Sequence, residues 1–241
     1  MTRMRKSLRI LVLCAAGLFV LCLPLFLITG NLRGAVNTAR LYQYGFDKYD
    51  VSEETGIGDA ELRRAAGELR GYFNSGEEFL QVTVVTEEGE ELELFTDREV
   101  FHLKEVKDVV KLCYHLLWGS FGFLAAFIIG GFIWQRRRFT LPLAKLAFLG
   151  GALTIALLII LGITAMVNFD WLFDQFHYLF FTGETWRLSS TDYLLRMFPE
   201  GFFNDATLFV AGVIIVEAVV IGGIGFGFVL IKRKKGKAVS T

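Results

Sequence analysis

Two histidines carry the strongest chemical signal in this sequence. His102 lies in the stretch 98–107 and His177 in the stretch 173–178, and each falls just outside a long apolar segment. Histidine is the side chain whose ordinary pKa lets it gain and lose a proton near neutral pH. Two histidines brought together at a membrane surface would therefore suit general acid and base chemistry on a lipid.

Four apolar runs are long enough to place these histidines beside a bilayer. They cover residues 10–28, 114–134, 146–167 and 207–231. A bilayer core of about 30 Å needs about 20 apolar residues in a helix. The sequence therefore predicts an α-helical integral membrane protein, namely a four-helix transmembrane bundle with a small α+β extracytoplasmic cap that contains a β-hairpin.

The runs also predict how the chain is organised. We assign the N-terminal tail and the first span to 1–30, the cap and the start of the second helix to 31–107, the second span to 108–135 and a cytoplasmic loop to 136–145. The third span covers 146–167, an extracytoplasmic aromatic loop 168–206, the fourth span 207–231 and a cytoplasmic tail 232–241.

Basic residues predict the orientation of the spans. Short cytoplasmic segments are enriched in Lys and Arg, so both termini should be cytoplasmic and both histidines should face outward. The formal net charge of +0 hides an acidic cap, and we expect no nucleic-acid partner. The basic clusters are Arg3, Arg5, Lys6 and Arg9, then Arg136, Arg137, Arg138 and Lys145, then residues 232–235 and Lys237.

The cap has readable local patterns. Residues 59–73 have apolar side chains at helical spacing, with Asp59 as a candidate N-cap. Residues 79–85 and 91–95 alternate like strands around a turn at 87–90, which predicts a β-hairpin. Thr96 and Glu99 match a capping box, so the second helix should begin there and continue into the span.

The loop after the third span is unusually aromatic, and it has two compatible interpretations. Aromatic side chains gather at both membrane interfaces, so the loop could be an aromatic belt. It could also be a cradle for acyl chains that enter from the outer leaflet, with His177 at its polar end. His115 lies thirteen residues after His102 and should face the opposite side of the helix, so we assign it a structural role.

The two histidine segments carry a family resemblance. Residues 98–107, 173–186 and 192–203 resemble the lipoprotein intramolecular transacylase family, and the resemblance extends over nearly the whole chain. Leu103 stands where that family often has methionine, and Glu105 where aspartate is usual.

The resemblance implies an acyltransferase of the bacterial cytoplasmic membrane. It would move the sn-2 acyl chain of a diacylglyceryl lipoprotein to the α-amino group of the N-terminal cysteine, which gives a lyso-form lipoprotein. We expect no cofactor and no metal, membrane phospholipid as a further partner, and a monomer. As site residues we assign His102 and His177 to acid and base catalysis, Arg98, Glu99 and Glu105 to orienting an imidazole or stabilising the oxyanion, and Tyr72, Phe176 and Trp186 to substrate binding.

Two other classes of function remain open from the residues alone. A metal-dependent membrane hydrolase could use both histidines with Asp174 or Glu105, although the sequence has no compact ligand motif such as His-Glu-x-x-His. A non-enzymatic envelope accessory protein could instead bind a partner through the acidic cap.

Overall fold

The computed structural model describes the backbone of residues 2–238 and the side chains of residues 6–234. This part of the chain is mostly helical, with one short 3-10 segment and two strands. The elements are α1 Thr2–Asn37, α2 Ala39–Lys48, α3 Val51–Thr55, α4 Asp59–Phe73, β1 Thr83–Val85, β2 Glu91–Glu93, α5 Asp97–Gln135, the 3-10 segment Arg136–Phe139, α6 Thr140–Val167, α7 Phe169–Phe180, α8 Tyr193–Met197 and α9 Glu200–Ala238.

Three helical stretches are long and apolar enough to cross a membrane, by length and composition. They are Lys6–Asn37, Asp97–Val167 and Glu200–Lys234. The middle stretch contains both α5 and α6, joined by the 3-10 segment, so the four spans predicted from the sequence stay a prediction. The predicted cytoplasmic side chains Arg3, Arg5, Lys235 and Lys237 lie outside the described residues.

The chain forms two compact units. The first comprises the described parts of Met1–Asn31, Tyr114–Ile163 and Ala211–Thr241. In it, α6 and α9 pack at very short range, because a Cβ on Gly151 would lie 2.7 Å from the Ala218 carbonyl oxygen. Gly222 and Gly225 of α9 therefore serve close packing against α6, as small residues do in membrane helices.

The second unit comprises Leu32–Cys113 and Thr164–Val210. Its core includes Leu62 of α4, Val84 of β1 and Leu94, which are at most 1% exposed. The predicted helix 59–73 is confirmed, but the prediction of Asp59 as its N-cap was wrong. Gly58 is the N-cap, and Asp59 is the first helical residue, where a carboxylate still faces the positive end of the helix dipole.

The predicted β-hairpin is confirmed, and both strands are shorter than the predicted 79–85 and 91–95. The strands pair antiparallel, with Thr83 opposite Glu93 and Val85 opposite Glu91. Strand pairing stops at Thr83 and Glu93, so residues 79–82 lie outside the strand. The Leu94 amide still donates to the Val82 carbonyl at 2.8 Å.

A break after α6 creates the helix that carries His177. Asn168 adopts φ −158° and ψ 84°, and its side chain accepts a hydrogen bond from the Trp171 amide at 3.0 Å. This is an N-cap, which satisfies an amide at the start of a helix. The segment is therefore a separate helix, α7, and does not continue α6.

Candidate active site

His102 is held at a defined position on α5. The Thr96 amide donates to the Glu99 carboxylate at 2.8 Å, and Glu99 is fully buried, so the capping box predicted from the sequence is confirmed. His102 follows on the buried side of the helix, with 8% of its surface exposed. His115 of the same helix is exposed, as the helical repeat predicts.

The structure brings His102 and His177 together, and we call them the imidazole pair. Their ring centroids are 6.5 Å apart, and the ring planes differ by 23°. The Phe181 ring contacts both, at 5.0 Å from His102 and 5.1 Å from His177. His177 is as buried as His102. The pair therefore lies in an aromatic cluster with little access to solvent.

A backbone hydrogen bond fixes the tautomer of His177. Its Nδ1 lies 2.7 Å from the Phe173 carbonyl oxygen, one helical turn earlier. A carbonyl oxygen only accepts, so Nδ1 carries the hydrogen and Nε2 keeps its lone pair. Burial lowers the pKa of His177, although the bond to Phe173 and the charge of Asp174 oppose this effect. In neutral His177 the free lone pair is therefore on Nε2.

His102 is also neutral at physiological pH. Burial and the neighbouring His177 imidazole lower its pKa to about 4, while the charge of Glu105 acts in the opposite direction. Its Nδ1 is buried and has no hydrogen-bond partner within the part of the chain that the structure describes. Buried polar atoms are nearly always paired, so this nitrogen requires an explanation.

Acid is expected to destabilise the protein through His102. The unfolded imidazole takes up a proton near pH 6.5, whereas the folded imidazole stays neutral down to about 4. Within that window the unfolded state binds more protons, so the free energy of unfolding decreases as the pH falls. Thermal unfolding in detergent across the window should show this decline. His102→Asn cannot titrate there and should show a smaller decline, and equal declines in both proteins would contradict the assignment.

Glu105 binds the segment that follows α7. Its carboxylate accepts hydrogen bonds from the Thr182 amide at 2.8 Å, from the Thr182 hydroxyl, and from the Thr185 hydroxyl at 2.6 Å. Burial raises the pKa of this carboxyl, but the hydrogen bonds and His102 outweigh burial, so its pKa lies below the usual value. An ionised Glu105 therefore ties the segment 182–185 to α5, one turn after His102.

Arg98 and Glu99 also bind this part of the chain rather than an imidazole. The exposed Arg98 donates to the Glu184 carbonyl oxygen at 2.7 Å. Glu99 accepts from the Leu194 amide, the second residue of α8, at 2.7 Å. Three side chains from the first turns of α5 thus hold residues 182–194 beside His102.

The three residues assigned to substrate binding lie in different surroundings. Trp186 is 9% exposed and its ring lies 4.6 Å from His177. Phe176 contacts His177 at 5.4 Å and is 45% exposed. Tyr72 is buried in the cap, where its hydroxyl donates to the Glu78 carbonyl and Lys107 lies 3.8 Å from its ring. The structure therefore places Trp186 and Phe176 at the imidazole pair and Tyr72 in the packing of the cap.

Sequence reasoning missed several residues that build the site. Phe173 and Phe181 contact the imidazoles, and Thr182 and Thr185 bind Glu105. The spacing of Phe173 and His177, one helical turn apart, was a readable signal. Lys107, on α5, is buried and donates to the Ser75 hydroxyl at 3.2 Å, and no local pattern pointed to its burial.

No group of three or more His, Cys, Asp or Glu side chains that could hold a metal ion occurs among the described residues. The imidazole pair offers two buried imidazoles whose pKa values lie below the usual value.

Solved structures share this fold. The chain resembles the membrane-integral lipoprotein intramolecular transacylase Lit from Bacillus cereus with a TM-score of 0.72 at 17% identity, over 92% of this chain and 97% of that one. A second structure of the same protein, with a point substitution, gives a TM-score of 0.73 at 18% identity, over 92% and 94% of the two chains. At this identity the likeness concerns the fold.

Sequence comparison gives two further results. An uncharacterized protein of Aquifex aeolicus (strain VF5) is 33% identical over 117 residues, which are 48% of this chain. The matched region spans only 50% of that relative. The family model for lipoprotein intramolecular transacylase Lit matches residues 17–203, which is most of the chain and includes both histidines. The resemblance seen in the sequence is thereby confirmed, and the chain belongs to the lipoprotein intramolecular transacylase family.

Proposed function

We propose that the protein is an acyltransferase that acts within one bacterial diacylglyceryl lipoprotein. The sn-2 acyl chain would move from the glyceryl oxygen to the α-amino group of the N-terminal cysteine and leave a lyso-form lipoprotein. Family membership supports an acyltransferase. The observation that carries the proposal is the buried imidazole pair, in which the Nε2 atom of His177 is left free by the bond from Nδ1 to Phe173.

The proposed reaction needs one proton carried over a short path. An α-amine has an ordinary pKa of about 8, so much of it is protonated at neutral pH, and the ammonium form first releases its extra proton to solvent. The neutral amine nitrogen then attacks the ester carbonyl carbon. His177 accepts at Nε2 the proton that the attacking nitrogen loses, the bond between the carbonyl carbon and the glyceryl oxygen breaks, and the imidazole pair returns that proton to the glyceryl oxygen. Because donor and acceptor belong to one molecule, the rest of the task is alignment.

Neutral histidines suit this proton transfer. Burial and the neighbouring imidazole keep the pKa of His102 at about 4, and burial keeps the pKa of His177 below its usual value. Both are therefore in the basic form when the substrate arrives. Glu105, Arg98 and Glu99 act as positioning residues, because each binds the segment that covers the pair and none donates to or accepts from an imidazole in the described hydrogen bonds.

The exposed face of α7 is the proposed contact for acyl chains. It presents large apolar side chains, among them Phe176 at 45% and Leu179 at 75% exposure. Phe176 also contacts His177, so this exposed apolar face extends to the imidazole. Phe176 and Trp186 would then contact the diacylglyceryl group on either side of the reacting ester.

The proposed location is the cytoplasmic membrane of a bacterium. Arg136, Arg137 and Arg138 separate α5 from α6 and are exposed, which favours a cytoplasmic position for this connection. Both termini would then be cytoplasmic, and the imidazole pair would face the outer leaflet, where diacylglyceryl lipoproteins reside. Membrane phospholipid would surround the protein, which we expect to act as a monomer.

Expression in a bacterium that lacks N-acylating enzymes tests the proposal. Mass spectrometry of the N-terminal peptide of one abundant lipoprotein should show an acyl group on the α-amine and the loss of one ester-linked acyl group from the glyceryl moiety. The total acyl mass should stay constant, since the transfer is intramolecular. An unmodified α-amine in cells that contain the folded protein would refute the proposed activity. Gain of acyl mass would indicate an external acyl donor.

A further inference from the structure

The indole of Trp186 is a buried donor without an acceptor. Trp186 is 9% exposed, and its Nε1 is buried with no hydrogen-bond partner in the described part of the chain. A buried tryptophan N–H usually finds a partner, and a donor left unpaired costs on the order of 1–3 kcal/mol. An unpaired donor of this kind points to a bound ligand that supplies the acceptor at this position.

Unpartnered buried atoms are concentrated at the imidazole pair. Three buried side-chain nitrogens of the described residues lack a partner, namely Arg70 Nε, His102 Nδ1 and Trp186 Nε1. Two of the three belong to the cluster around His177, because the rings of His102 and Trp186 lie 6.5 Å and 4.6 Å from its ring. Two of these unpaired buried nitrogens are therefore located where the substrate would react.

The position of Trp186 is fixed by its neighbours. Thr185, the preceding residue, donates to Glu105 at 2.6 Å, and the Glu184 carbonyl accepts from Arg98 at 2.7 Å. The indole also contacts the Phe173 ring edge-on, at 6.0 Å. A donor held by this many contacts needs little reorganisation during a reaction, which is the condition under which a hydrogen bond contributes most to catalysis.

We infer that the Trp186 indole N–H donates a hydrogen bond to the carbonyl oxygen of the sn-2 ester and to the oxyanion that this oxygen becomes. The inference rests on the proposed function. When the amine adds to the carbonyl carbon, the π electrons move to the oxygen. When the carbonyl re-forms, the glyceryl oxygen leaves and takes the proton that His177 accepted from nitrogen. Trp186 keeps its own proton throughout, so atoms and charges balance.

A neutral indole suits this role beside two neutral imidazoles. A hydrogen bond to an oxyanion is about twice as strong as one to a neutral carbonyl, so the indole stabilises the transition state more than the bound ester. A cation in the same place would disfavour the imidazolium that forms on His177. The guanidinium of Arg98 is bound to the Glu184 carbonyl. The guanidinium of Arg187 lies over the face of the Trp186 ring, 5.0 Å from its centroid, and is paired with the Glu184 carboxylate at 3.0 Å.

Replacing only the donor tests the inference. The residue 3-benzothienylalanine has the shape of tryptophan with sulfur in place of the N–H, and it is introduced at position 186 of the full-length protein. With a synthetic diacylglyceryl lipopeptide in micelles, kcat is expected to fall by about 10²-fold with KM changed less than about 3-fold. A purely packing role predicts wild-type kcat, because the ring shape is kept, and that result would overturn the inference. Trp134→Phe, at the far end of α5, is the control and should retain wild-type kcat.

A second measurement uses the wild-type protein, so it tests the inference even if the variant at position 186 does not fold. The chain has only four tryptophans, so indole N–H resonances of wild-type protein labelled with [15N]tryptophan can be assigned by substitution. A phosphonate analogue of the tetrahedral intermediate should shift the Trp186 resonance downfield, and an unshifted resonance in the bound complex contradicts the inference. If wild-type protein converts no lipopeptide, the proposed function fails and this inference with it. If wild type and the 186 variant convert equally, only the inference fails.

Discussion

Replacing His177 with asparagine is expected to lower the rate of lyso-form conversion by about 10²- to 10⁴-fold, which is the usual contribution of a positioned acid or base. The reason is the free Nε2 atom, which asparagine cannot replace as a proton acceptor. His102→Asn should have an effect of similar size. The rate is measured by mass spectrometry of a synthetic diacylglyceryl lipopeptide incubated with each purified protein.

The pH dependence distinguishes the two histidines. If His177 takes the proton from the attacking nitrogen, raising the pH above about 8 should restore part of the activity of His177→Asn, because hydroxide can then accept that proton. His102→Asn should gain less, and the opposite pattern would reverse the two roles. The control is His115→Asn, since His115 is exposed on the same helix. Wild-type activity in either site variant would remove that histidine from the mechanism.

Glu105→Ala is expected to lower activity by about 10²-fold, the typical result of a displacement of about 1 Å in a site. The substitution leaves the Thr182 amide and the hydroxyls of Thr182 and Thr185 without their acceptor. Hydrogen bonds to a charged group contribute about 1.5–3 kcal/mol each, so the segment 182–185 should shift relative to α5, although Arg98 still binds the Glu184 carbonyl. Kinetics with the lipopeptide and thermal unfolding in detergent measure the two effects.

The matched control for this prediction is a carboxylate in the same segment. Glu184 forms an exposed ion pair with Arg187 at 3.0 Å, and exposed pairs contribute only about 0–1 kcal/mol. Glu184→Gln should therefore have nearly wild-type activity, whereas Glu105→Gln, which keeps one acceptor oxygen, should lie between Glu105→Ala and wild type. Equal effects of the two glutamine variants would show that Glu105 has no special positioning role. If Glu105 acts through Thr185, the losses from Glu105→Ala and Thr185→Ala should not add.

Much of the site was predictable because its signals are local. The Thr96–Glu99 capping box set the start of α5 and hence the position of His102. The apolar pattern of residues 59–73 gave the bounds of α4 correctly. It did not give the N-cap, because a glycine and an aspartate in sequence offer two possible starting points and only the backbone conformation of Gly58 decides between them.

The contacts that complete the site could not be predicted from the sequence. Glu105 and its partners Thr182 and Thr185 are separated by 77 and 80 residues. Glu99 and the Leu194 amide are separated by 95. No periodicity links positions so far apart, and each glutamate has a complete local interpretation, Glu99 in the capping box and Glu105 as an exposed helix residue. The burial of both histidines depends on the same long-range packing.

The depth of the imidazole pair also bears on which acceptor receives the acyl group. In the proposed reaction the activated ester has two competitors, the amine of its own lipoprotein and any solvent molecule that reaches the carbonyl carbon. His102 and His177 are each only 8% exposed, so few water molecules reach the imidazoles that could activate them for attack on the ester. The burial of the imidazole pair would thus favour transfer to the amine over hydrolysis, which keeps the acyl chain on the lipoprotein instead of releasing it as a free fatty acid.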